Sequence, residues 1–250
     1  MKILGFVPLH YGAEYLDLCL DSLKPFCDKV YVSYSKKASH GHAPLFNGKL
    51  VQCPDSRDSI FNIAHKNLGD KLIWEEADSY PREASHRHSV YNHVAGYDMI
   101  VTADSDEVID KDTFMEGVKM AYDGPHRLYG TSNYINFWRS FNHVVRDGFS
   151  PIRMFNLRRS GGQGHGLPTK IFHFGTCQRK EVMEYKYLCH GHKDELRTNW
   201  LKEVYYGWTP DNQIQNLHPV ANGIWNAEAI DKHTLPDYIK SHPNFMKDLV

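Results

Sequence analysis

No stretch of 18 apolar residues occurs in the 250-residue chain, so nothing in it can cross a bilayer as a helix. Cysteines are few: Cys19, Cys27, Cys53, Cys177 and Cys189 are odd in number and irregularly spaced. That excludes a disulfide framework and points to reduced thiols of a cytoplasmic protein. Neither sign of charge is in excess, with Lys+Arg 29 against Asp+Glu 30 and a net charge of −1, so no global field draws the chain to nucleic acid or membrane. The N-terminal run from Met1 is interrupted by Pro8 too soon for a signal peptide. Internal repeats and low-complexity tracts are missing. Gly161 to Gly166 is not a dinucleotide fingerprint, because no strand-to-helix switch surrounds it, and it reads as a mobile lid or a long turn. Cys189, His190 and His192 lack the second ligand pair that a zinc site needs. What is present is 41% hydrophobic content, enough for a sizeable core, and a polar, aromatic complement with His 16 and Tyr 15.

The first half alternates strand and helix patterns. Apolar runs predict strands at Ile3 to Val7, Lys29 to Tyr34, Lys49 to Cys53, Lys71 to Trp74 and Met99 to Ala103. Helical periodicity predicts helices over Gly12 to Leu23, Arg57 to Leu68 (with Asp55-Ser56 as caps) and Asp112 to Ala121 (capped by Asp110). Another helix starts at Pro81, with a stripe of Ala84, His88, Tyr91 and Ala95 closed by Gly96. This pattern implies a mostly parallel sheet flanked by helices, an α/β fold whose ligands bind at the carboxyl ends of the strands. The second half carries strand-like runs at Leu128 to Phe137, Ile152 to Leu157 and Lys170 to Phe174, and helical stretches at Glu181 to His190 and Leu196 to Tyr206. The division expected is a main domain over 1–208, followed by an irregular C-terminal wrap over 209–250 that packs on it.

The central strand ends in Asp104-Ser105-Asp106-Glu107. Acids crowded at a strand end repel one another unless a cation sits among them. A divalent cation suits carboxylate oxygens, and at the mouth of an α/β sheet it also holds phosphates. Asp104 and Asp106 are therefore read as a metal site that grips a nucleotide diphosphate; the plainer reading is an acidic turn that caps the next helix.

With these pieces placed, residues 1–190 resemble the GT-A nucleotide-sugar glycosyltransferases, nearest the family-2-like inverting enzymes. The residues that carry the resemblance are Val7-Pro8, Arg87, the run from Ala95 through Asp104-Ser105-Asp106-Glu107 to Val108, and Lys170-Ile171-Phe172-His173-Phe174-Gly175. It implies a GT-A type, Rossmann-like fold, with Mn²⁺ or Mg²⁺ and the donor diphosphate on Asp104 and Asp106, and His173 completing the metal shell. The family's acidic, Ser-rich turn after the second strand is replaced here by Val32-Ser33-Tyr34-Ser35-Lys36-Lys37, which has no acid.

Arg87 is a candidate phosphate contact or the partner of Glu83 one turn back. Pro8, His10 and Glu14 flank the first strand–helix turn, where a nucleobase would lie. Asp147 and Glu181 are the best-placed carboxylates for the base that takes the acceptor's proton. Arg139, Arg146, Arg153, Arg158, Arg159 and Lys170 lie among aromatics over 139–170 and suggest an anionic acceptor surface, or a solvated basic face. The expected activity is transfer of a sugar from a UDP-linked donor to an acceptor hydroxyl, on a surface saccharide or on a hydroxymethylated base in phage DNA. The rival readings are a nucleotidyltransferase and a nucleotide-sugar-binding domain without transfer activity.

Overall fold

The computed structural model describes residues 1–38, 44–46, 49–146, 148–189, 195–212, 214–220, 223, 225–247 and 249. The chain forms two interleaved compact units. The first comprises 1–41, 55–134 and 148–173, and the second 42–54, 135–147 and 174–250.

The first unit is built on β1 (Ile3–Leu9), β2 (Lys29–Ser35), β5 (Leu72–Ala77) and β6 (Met99–Thr102), in the order β6-β1-β2-β5 and all parallel. The expected α/β architecture with a parallel centre is thus the observed one. β10 (Ile152–Asn156) adds antiparallel to β6, and β8 (Leu128–Trp138) adds antiparallel to β10. Side-chain alternation gives the sheet two apolar faces. Ile3, Val7, Leu9, Met99 and Val101 pack with α1 (Ala13–Leu23), α2 (Arg57–Leu68) and α4 (Lys111–Asp123) through Leu16, Leu20, Ile60, Ala64, Phe114 and Val118. Leu4, Phe6, Tyr31 and Ile100 face the other way and meet Val90.

The helix caps show how sequence acts locally. Ser56 accepts from Ser59 N at 3.1 Å and Asp110 from Thr113 N at 3.1 Å, each holding an orphan donor of its helix. Asp55 departs from expectation. Its carboxylate accepts from Gly12 N at 2.7 Å and Ala13 N at 3.0 Å, so it caps α1. The helix expected from Pro81 is short, with α3 (Glu83–His88) followed by a 3-10 segment, Ser89–His93. Its buried residues are His86 and Val90, while the expected stripe of Ala84, His88, Tyr91 and Ala95 is exposed. The glycine-rich loop is a pinned turn: Gly164 N donates to Leu128 O at 2.8 Å, and a β-bridge joins Leu128 to Gln163.

In the second unit, β9 (Ser140–Val145) pairs with the end of β8 and with β12 (Ala227–Ala229). The strand expected at Lys49 to Cys53 is only β4 (Lys49–Leu50), hairpinned to β3 (Leu45–Phe46) and outside the central sheet. α5 (Lys180–Leu188), a π-helical turn (Leu201–Tyr205) and α6 (Asp237–Lys240) complete it. Trp138, Trp200, Tyr205, Trp208 and Leu217 form its core, and Phe245 packs against Phe141. Residues 209–250 all lie in this unit. Among the described residues no helix is long and apolar enough to cross a membrane.

Candidate functional site

The acidic turn sits where β6 ends at Thr102, between two anchors. One is the β1–α1 turn. Ser105 Oγ donates to Tyr11 O at 3.2 Å, and Gly12, at φ 111°, leaves no room for a side chain, since a Cβ there would lie 2.2 Å from Ser105 Oγ. The other is a strand reversal. β7 (Glu107–Ile109) runs antiparallel to β11 (Leu167–Thr176), in a register that sets His173 opposite Glu107. That register brings a distant imidazole to the turn. His173 Nε2 lies 3.7 Å from Asp106 Oδ1.

Asp104 is held by two arginines. Arg87 Nη1 lies 3.0 Å from Oδ1 and Nη2 donates to Oδ2 at 3.1 Å; Arg153 Nη2 meets Oδ2 at 3.0 Å. Burial pushes the Asp104 carboxyl up, but the Arg87 and Arg153 charges outweigh it and hold it well below the usual carboxylate range. Arg87 also keeps its Glu83 partner one turn back, Nε to Oε1 at 2.8 Å. Arg153 is fixed from behind by Glu107, which is fully buried and accepts from its Nε at 2.7 Å and from its Nη2. The Tyr134 hydroxyl donates to the same carboxylate, and its ring lies 5.0 Å from that of His173. Burial works against the charge of Arg153, and Glu107 with Asp104 more than offset it, so its guanidinium stays protonated far above the ordinary range.

The strand ends beside the acidic corner are organised around β2. His10, buried, places Nδ1 2.7 Å from Ser35 O, and burial lowers its pKa, so the ring is neutral at pH 7. His86 Nε2 donates to Ser33 O at 2.8 Å, and its ring stacks on Tyr80 at 4.2 Å. Pro8 pairs with Ser33 across β1 and β2, and Glu14 lies in the first turn of α1. A hollow of about 300 Å³ opens beside Arg87 and Arg153, walled by Phe6, Tyr91, Ile100 and Phe155.

The structure therefore gathers Asp104, Asp106, Arg87 and His173 at one corner, with His10 and Pro8 at the neighbouring strand ends. Glu181 lies in the second unit, exposed in the first turn of α5. Asp147, His190 and His192 fall outside the described residues. Arg153, Glu107 and Tyr134 were not anticipated as site residues; the available signal was an arginine inside the apolar run Ile152-Arg153-Met154-Phe155. The basic face expected over 139–170 is not one exposed surface. Arg139 and Arg153 are both buried, Arg146 pairs with Glu228, and Arg159 donates to Gly124 O at 3.0 Å.

As for a divalent ion, Asp106 and His173 fit as donors: two atoms each ~2.1 Å from one ion lie no more than ~4.2 Å apart, and theirs are 3.7 Å apart. Mixed oxygen and nitrogen ligands suit Mn²⁺. Asp104 is already neutralised by arginine, and among the described residues no three His, Cys, Asp or Glu side chains form a complete metal set. An ion would need further oxygens from its ligand.

No protein-family profile and no curated protein matches the sequence. Among solved structures, the chain is similar to TarS 1-349 of S. aureus, with 16% identity over 55% of this chain and 36% of that one and a TM-score of 0.37. TarS 1-349 in complex with UDP-GlcNAc gives 17% identity over 55% and 35%, with a TM-score of 0.36. Glucosyl-3-phosphoglycerate synthase from Mycobacterium tuberculosis, in complex with Mn²⁺, UDP and phosphoglyceric acid, gives 14% identity over 53% and 43%, with a TM-score of 0.36. The chain spans less than half the length of each of these proteins.

Proposed function

We propose that the protein is a GT-A type glycosyltransferase that moves a sugar from a nucleotide donor, UDP-linked, to an acceptor hydroxyl, with Mn²⁺ or Mg²⁺ at the acidic corner. The observation that carries this reading is the approach of His173 to Asp106, 3.7 Å apart, beside two arginines at the mouth of parallel strands. Bound there, the metal would supply Lewis acidity to the diphosphate as it leaves. Asp106 and His173 would hold it; Asp104, whose two oxygens meet Arg87 and Arg153, would join them only on exchanging a guanidinium for the ion. Arg87 presents its guanidinium to the diphosphate, adding charge where charge develops. Pro8 and the neutral His10 border the base. The acceptor's proton goes to a carboxylate, for which Asp147 and Glu181 are the candidates, as in an inverting transfer.

Two buried arginines thin the basic face that suggested a polyanion, which favours a saccharide hydroxyl over a hydroxymethylated base in DNA. A nucleotidyltransferase is disfavoured by the β1–α1 turn, where Pro8-Leu9-His10-Tyr11-Gly12 offers no lysine or arginine for a phosphate.

The test is a thermal-shift series with UDP, with and without MnCl₂, alongside UDP-sugar hydrolysis. Saturation at a hundred times Kd stabilises a protein by about 2.7 kcal/mol. The expected result is stabilisation by UDP that requires Mn²⁺, lost in Asp106→Ala, with hydrolysis falling at least ~100-fold. UDP stabilisation indifferent to metal would remove the metal site from the reading. Binding without turnover in either form would leave a nucleotide-sugar-binding domain.

A further inference from the structure

The two arginines that hold Asp104 differ in how firmly they are themselves held. Arg153 has a side chain 10% exposed and is locked to the buried carboxylate of Glu107. Arg87 has a side chain 34% exposed, stands on the six-residue helix α3, and has as its other acid Glu83, 47% exposed. One cation is enclosed in the frame and the other stands at its partly exposed edge. Asp104 meanwhile gives both of its oxygens to guanidinium groups, Oδ1 and Oδ2 to Arg87 and Oδ2 again to Arg153. A carboxylate so engaged is a poor ligand for a divalent ion, which would be pressed against two positive charges.

Resting on the glycosyltransferase reading, we infer that Arg87 is a latch on Asp104. Without nucleotide, its guanidinium fills the place of the cation; when a nucleoside diphosphate arrives, Arg87 moves onto the phosphates and Asp104 turns to the metal. Arg87 is then a positioning residue for Asp104 as well as a diphosphate ligand. Each exchange is unfavourable by itself. A metal arriving alone must take Asp104 from Arg87, and a diphosphate arriving alone takes Arg87 and leaves the acids short of positive charge. Together the two swaps balance, because the phosphates receive the guanidinium and the carboxylate receives the ion. The ligands therefore bind cooperatively, and by linkage each tightens the other by the same factor. Arg153 stays in place throughout and keeps Glu107 neutralised.

The test is calorimetric titration of the full chain with MnCl₂, with and without saturating UDP, in the native protein and in Arg87→Gln. For the native protein, UDP is expected to tighten Mn²⁺ roughly tenfold or more. In Arg87→Gln, Mn²⁺ without nucleotide is expected to bind about tenfold tighter than in the native protein, UDP to bind more weakly, and the coupling to shrink toward unity. Arg87→Lys, which keeps the charge and loses the two-pronged contact, is expected between the two, and it reads the same titration should Arg87→Gln fail to fold. If UDP and Mn²⁺ bind the native protein, yet Arg87→Gln leaves nucleotide-free Mn²⁺ affinity unchanged or weaker, the latch is wrong and the glycosyltransferase reading stands. If neither UDP nor Mn²⁺ binds the native protein, both fall.

Discussion

Each of the two units buries an arginine, and the contacts recorded around the two differ. Arg153, 9% exposed, lies in the first unit among carboxylates, bonded to Glu107 and Asp104. Arg139, also 9% exposed, lies in the second, donating to the carbonyls of Tyr205 and Trp208 with its guanidinium 5.7 Å from the Trp208 ring centre. Carbonyl dipoles and an indole face engage a guanidinium without making a site, and Arg139 fastens aromatic pieces of a core together. Carboxylates around a guanidinium leave charges that depend on one another. Removing one changes what the rest can bind, and that interdependence makes the acidic corner responsive to ligands.

The sharpest way to break this comparison is to delete each arginine. Arg153→Ala strands Glu107, 0% exposed, without a counter-charge and is expected to cost ~3–5 kcal/mol in urea unfolding. Arg139→Ala loses hydrogen bonds to carbonyls and is expected to cost ~1–3 kcal/mol. A larger loss for Arg139→Ala would reverse the distinction drawn between the units.

Next in size is a pH effect in the first unit. Burial lowers the His86 pKa from 6.5 to about 4, against the smaller opposing pull of its bond to Ser33 O. Between those values the unfolded chain binds a proton that the folded protein does not, so stability falls as pH drops from 6.5 to 4. The expected loss is ~3 kcal/mol. His86→Gln should flatten that part of the stability profile, and an unchanged slope would show that His86 does not titrate this way.

The smallest effect tests the turn itself. Gly12→Ala places a Cβ against Ser105 Oγ at φ 111° and is expected to cost ~2 kcal/mol. Because Ser105 sits between the two candidate ligands, the same variant should also weaken Mn²⁺-dependent UDP binding. A melting temperature equal to that of the native protein would show that the turn yields easily.

Local order was largely legible before the structure. Arg57–Leu68 is a helix with the expected bounds, and Ser56 and Asp110 cap the helices they were expected to cap, because caps and periodicity act within a few residues. Asp55 shows where that reasoning stops. As a residue type it is a good cap, and it does cap a helix, but one brought to it by the fold. Arg153 was misread for a related reason. In sequence a cation among other cations looks like surface, and only the pairing of β10 with β6 carries it inward to the acids.

By itself the sequence determined the alternation of strands and helices, the strand that ends in acids and the candidacy of Asp104 and Asp106, all features written in neighbouring residues. The tertiary structure decided which polar side chains meet: His173 with Asp106, Arg153 with Glu107, Arg87 with Asp104. Those meetings depend on strand register and sheet order, which arise from contacts between residues far apart in the chain, so no local pattern encodes them.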